Sequence, residues 1–276
     1  GGASDEEKEK VGNFDSQLLK NNRLSELAST LRMNTPTRRS IFYIIMSSSD
    51  YIDCSNKLTR MNLRGKEPRE IVRVLATCCG SEGKYNEYYS HLAGRIIEED
   101  EGAKFTFQLT FWDMFKQFGE MELRKASNLA RLLSSLVIGR GVGMNVLKVV
   151  AFEEIEEEAS AVFFTVFFKS LFDEVGELEV EALFSDLRED LREGVRLFFD
   201  RYLKNCDSNK KGGKGNGNGG RGNKDWRRKF KKAVKILGKH RERGADELSV
   251  GDGGVARGDE DEEENGGRAY NDDDWD

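Results

Sequence analysis

Proline is almost missing from this 276-residue chain, which has only Pro36 and Pro68. Proline interrupts helices by removing an amide donor and crowding the preceding turn, so its scarcity permits long helical elements and disfavours a loop-rich β fold. Histidine is equally rare: His91 and His240 lie far apart, and Cys54, Cys78, Cys79 and Cys206 include no Cys-x-x-Cys pair. No zinc-ligand spacing follows, and no metal or other cofactor is expected. There is no apolar run of membrane-spanning length and no secretory signal. Those absences predict a soluble chain without membrane contact, its thiols reduced in the cytosol or nucleus.

What is present is a polar chain, 37% hydrophobic and 34% charged, with 17 phenylalanines. Between Leu24 and Leu203 the apolar residues recur at three- and four-residue spacings, the period of helices with one buried face. Thr35-Pro36 opens one helix, Ser49-Asp50 caps the next, and Pro68 starts a third that Gly80 and Gly83 end. Further helices are predicted over 85–97, 105–118, 123–138, 145–150, 159–175 and 179–204. Eight or so antiparallel helices without strands make an all-α array, either a bundle or an α-solenoid.

Charge divides the remainder. Residues 1–22 read as a flexible leader, 23–205 as the helical domain, and 206–223 as a glycine-rich linker too poor in apolar side chains to fold. Arg221 to Arg243 carries eleven basic residues against two acids, and Asp246 to Asp276 carries thirteen acids against two arginines. The expected architecture is therefore a folded array followed by disordered charged C-terminal tails: a basic segment over 224–243, read as an amphipathic helix with a disordered tail as its alternative, and an acidic tail over 244–276. The acidic tail is expected to fold back and compete for the basic segment.

No catalytic constellation assembles. Gly139-Arg-Gly-Val-Gly-Met has its third glycine misplaced for a dinucleotide loop and no strand before it, so it reads as the turn ending a helix. Glu153, Glu154, Glu156, Glu157 and Glu158 form a run of the kind that is usually solvated, and His91 lies among helical residues as a packed or partly exposed side chain. No enzyme activity is expected. The aromatic stripe of Phe107, Phe111, Trp112, Phe115 and Phe118 reads as core, because only Lys116 is interleaved with it.

The basic segment carries more information. Trp226, Phe230, Val234 and Leu237 share a helical face, with cations around it. Lys224, Arg227, Arg228, Lys229, Lys231, Lys232 and Lys235 are the candidate RNA contacts, since phosphate neutralisation needs cations and little else. A partner groove or nuclear import could use the same residues.

The segments TPTRRSIFYIIMSSSDYIDCSNKLTRMNL and EIVRVLATCCGSEGKYNEYYSHLAGRI resemble the MI domain, also written MA-3, of scaffold proteins related to translation initiation factor 4G. A spliceosomal and a nucleolar branch share that opening. FTFQLTFWDMFKQF, VLKVVAFEEI and LREGVRLFFDRYLKN are similar to the nucleolar MIF4G/MI-domain branch, and the likeness spans roughly residues 24–205. The resemblance implies a HEAT-like α-solenoid and a non-enzymatic nucleolar scaffold in maturation of 18S ribosomal RNA. It also implies, as partners, the pre-ribosomal particle and a DEAD-box RNA helicase of the initiation factor 4A type. The family's middle domain of initiation factor 4G type does not precede the MI domain here, which implies a C-terminal fragment or a reduced protein. Some members touch the helicase through acids in the turn that here reads GEMELRK. Glu120 keeps an acid, whereas Arg124 replaces a second, leaving Glu120 and Glu122 as candidate partner contacts. Their alternative role is to favour a helix N-terminus through its dipole.

Overall fold

The computed structural model describes residues 22–204 and 225–238. The expected leader (Asn22 apart), the linker and the acidic tail lie outside the described residues, as does Lys224.

The first helix, α1, spans 22–30. It is followed by α2 (Pro36–Ser47), α3 (Tyr51–Arg60), α4 (Pro68–Ser81), α5 (Tyr88–Glu99), α6 (Gly102–Phe115) and α7 (Leu123–Ile138). Next come α8 (Glu158–Glu174), α9 (Glu177–Ser185) and α10 (Glu189–Phe198), which continues into a π turn at Phe199–Leu203. A final helix, α11, covers 225–238. Among the described residues there is no strand. Helices pack on neighbours one to three places along the chain: α2 on α3 and α4, α3 on α5, α4 on α6 and α7, and α7 broadly on α8. That pattern is the stacked, HEAT-like array expected of an α-solenoid.

The helix starts follow local chemistry. The Thr35 hydroxyl accepts the Arg38 amide at 3.2 Å, with Pro36 in the first turn. Asp50 accepts the amides of Ile52 and Asp53 at 2.9 and 2.8 Å. Several expectations need correction. Gly80 does not end α4; it is buried inside the helix, where an added Cβ would come within 2.9 Å of Lys125 Cγ, so glycine serves the close approach of α7. The 145–150 helix is a 3-10 segment, Met144–Val149.

The long helix expected over 179–204 is two. Leu187 is buried at the break, and Arg192 donates to the carbonyls of Ser185 and Leu187, both at 2.7 Å. Those bonds satisfy backbone acceptors at the end of α9 and hold the kink. The core runs through the whole stack, from Ile41 and Phe42 through Leu75 and Leu133 to a phenylalanine cluster of Phe163, Phe164, Phe168, Phe172, Phe198 and Phe199.

The amphipathic helix read in the basic segment forms over 225–238, so the disordered alternative does not hold there. Trp226 and Phe230 stack on each other at 5.2 Å and meet Phe172 edge-on at 5.9 and 6.2 Å, while Ala233 and Leu237 are buried. The apolar face read from the sequence has its docking site on the domain itself, and burying it supplies the driving force that an isolated helix of this length lacks.

Candidate partner and RNA interface

The acidic turn lies between a 3-10 segment, Phe118–Glu120, and the start of α7. Phe118 anchors it, buried against Phe115 and Phe163 at 5.7 and 5.4 Å. Glu120 and Glu122 both point to solvent. Glu122 pairs with Arg124 at 3.2 Å and makes no capping bond to α7. Arg124, the departure noted in the sequence, thus neutralises one acid of the turn and leaves Glu120 as its outward charge.

On α11 the structure separates the candidate cations. Lys229 is buried, its ammonium donating to the Phe172 carbonyl at 2.9 Å and pairing with Asp225 at 2.6 Å. It must be removed from the RNA-facing set, because it supplies a cation to the C-terminal carbonyls of α8 and cannot also reach a phosphate. Arg228 pairs with Glu177 and Asp225, and Lys232 pairs with Glu181 at 2.8 Å, so both clamp α11 onto α9. Arg227, Lys231 and Lys235 form the exposed side of the helix.

The thiols and phenols elsewhere are packed inward, whereas His91 stays exposed. Cys54, Cys78 and Cys79 are buried free thiols. Burial, reinforced by the charge of Glu82, pushes Cys78 and Cys79 up to about 12, and burial raises Cys54 as well, so none offers a thiolate near neutrality. Tyr88 donates to the Ile45 carbonyl at 3.1 Å and Tyr89 to Glu82 at 2.8 Å, and burial raises both phenols. His91 stacks on Tyr51 with centroids 5.2 Å apart. The glycine-rich Gly139–Met144 stretch caps α7: Gly139 donates to Ser135, and Arg140 takes the left-handed conformation with φ of 56°. Among the described residues no three His, Cys, Asp or Glu side chains converge to hold a metal ion, and no helix is long and apolar enough to cross a membrane.

A stack of short helices displaying charged turns and flanks defines a helical-repeat domain. Residues 37–142 match the MA3 domain family. The human nucleolar MIF4G domain-containing protein 1 is 33% identical over 202 residues, covering 71% of this chain and 23% of that protein. Suppressor of glycerol defect protein 1 of Schizosaccharomyces pombe is 29% identical over 199 residues, 68% of this chain and 26% of the relative. The mouse pre-mRNA-splicing factor CWC22 homolog is 25% identical over 167 residues, 60% of this chain and 18% of the relative. The chain carries an MI/MA3 domain and is similar to the nucleolar MIF4G branch of that family, a kinship that supports a nucleolar or nuclear location. It spans 23% of the length of the human relative.

Proposed function

We propose that the chain acts without catalysis as a scaffold in nucleolar maturation of 18S ribosomal RNA and assembly of the small subunit. The scaffold role is that of the family; its assignment to this RNA is the proposal. The observation that carries it is the 33% identity to the human nucleolar protein over 202 residues, against 25% over 167 residues for the splicing relative. Protein partners dock on the outer helix faces and turns. A DEAD-box helicase of the initiation factor 4A type meets the turn carrying Glu120, with Glu122 held back by Arg124. RNA of the pre-ribosomal particle meets α11 through Arg227, Lys231 and Lys235 on its exposed side.

The 25% match to the splicing factor supports one alternative, a spliceosomal scaffold. Affinity capture of the tagged chain, with and without nuclease, separates the two. Small-subunit precursors with a DEAD-box helicase are expected; recovery of splicing factors in their place refutes the nucleolar reading.

A further inference from the structure

The domain carries a second basic surface, at the opposite end of the sequence from α11. Residues 32–39 and 64–73 hold seven basic side chains against Glu67 and Glu70, in a chain whose net charge is -6. The fold joins the two stretches. Thr37 at the start of α2 donates to Glu67 at 3.2 Å, Arg38 pairs with Glu70, and Arg73 pairs with the same carboxylate at 2.7 Å. Glu67 also accepts the Arg64 amide at 3.3 Å, which shapes the turn between α3 and α4 together with the left-handed Asn62 and Gly65. Both acids are thereby committed to holding the surface together. Arg64, Lys66 and Arg69 are exposed and form no ion pair among the described residues.

Beside these cations lies a trough of about 550 Å³ between the α3–α4 turn and the start of α6, lined by Asn62, Leu63, Arg69 and Phe105 among others. Phe105 stands at its edge with 57% of its surface exposed, although its helix buries Phe107 and Phe111 completely. The Ser55 hydroxyl lines the same trough, is buried, and has no hydrogen-bond partner among the described residues. The acids nearby are engaged: Glu99 pairs with Arg95 and accepts the Thr59 hydroxyl, and Asp100 accepts the Gly102 amide.

Cations track a phosphate backbone, an exposed ring stacks a base, and unpaired polar groups in a recess read base edges. We propose that this surface binds single-stranded RNA, with phosphates on Arg64, Lys66 and Arg69 and an unstacked base in the trough against Phe105. An acidic peptide would use the arginines but has no use for the ring or the recess, which is why RNA is the better occupant.

The test uses the purified full chain and a mixed-sequence single-stranded RNA oligonucleotide, read by fluorescence anisotropy at several salt concentrations. The triple variant Arg64→Gln, Lys66→Gln, Arg69→Gln is expected to bind at least tenfold more weakly at low salt, with a salt slope reduced by roughly two to three. Phe105→Ala is expected to weaken binding about fivefold or more while leaving the salt slope unchanged. Glu67→Gln, which removes a negative charge and keeps the hydrogen-bonding shape, is expected to tighten binding two- to threefold, a gain that misfolding cannot produce. Wild-type affinity in either loss variant overturns the proposal, as does tighter binding of a poly-aspartate peptide that displaces the RNA. Lys231→Gln with Lys235→Gln, on α11, is the control; if that pair abolishes all binding, the α2–α4 surface is not a site. Because the components are purified, the outcome is independent of which particle the chain joins in cells.

Discussion

The two ends of the helical stack are held by different chemistry. At the α2–α5 end, mainly aliphatic and thiol side chains fill the core around Phe42, and polar groups fasten it: Tyr88 to the Ile45 carbonyl, Tyr89 to Glu82, and Asn128 of α7 to the carbonyls of Cys79 and Glu82 at 3.3 and 2.8 Å. At the α8–α11 end, packing is ring upon ring, with Phe168 touching Phe152, Phe184, Phe198 and Phe199 at centroid distances from 4.8 to 6.4 Å. Directed hydrogen bonds fix the first end in one geometry. Rings tolerate several arrangements, so the second end depends on enclosure, and α11 provides part of it through Trp226 and Phe230.

The sharpest way to break this contrast is Phe168→Ala. The ring is wholly buried, and its removal leaves a cavity that neighbouring rings fill only in part, so a loss of about 3–5 kcal/mol is expected in denaturant unfolding. A loss below about 1 kcal/mol would mean that the ring cluster collapses freely and is no keystone. A smaller effect is expected for Lys229→Met, which keeps the aliphatic packing but takes the cation from Asp225 and the donor from the Phe172 carbonyl. The expected loss is about 1–2 kcal/mol, with faster amide exchange confined to α11 and the end of α8. Uniform acceleration across the domain would show that α11 does not act as a separate lid.

The same contrast explains what was legible beforehand. Thr35-Pro36 and Ser49-Asp50 announced their helices because a cap is a contact between residues two or three apart. The all-helical class and the nucleolar MI-domain kinship were likewise readable, from periodicity and from words in order. The break between α9 and α10 was hidden because Arg192 reaches back to Ser185 and Leu187 within an unbroken helical pattern. The docking of α11 was hidden for a different reason. Its apolar face is visible in the sequence, but the groove receiving it is built by Phe172 and Phe199, far upstream. Of the candidate interface, the outward position of Glu120 could be foreseen from its polar turn, whereas the burial of Lys229 could not, since its partners are a backbone carbonyl of α8 and Asp225.

The smallest effect belongs to the polar end and separates it by its pH dependence. Burial alone would raise the Glu70 carboxyl, but hydrogen bonds and charges from Arg38 and Arg73 outweigh it and hold the group below its ordinary value of 4.5. A depressed carboxylate stabilises the fold above its unfolded-state value, and that contribution disappears as pH falls through the folded-state value. Neutral pH therefore retains the full contribution, and the loss is confined to the acidic range below about 4.5. Glu70→Gln should lower the melting temperature slightly at neutral pH, leave it unchanged relative to wild type in strong acid, and flatten the difference between them in between. A constant offset at every pH would mean that shape at this position matters and charge does not. Phe168→Ala, which removes no titrating group, is expected to show that constant offset, so the two variants distinguish an end fastened by charge from one fastened by rings.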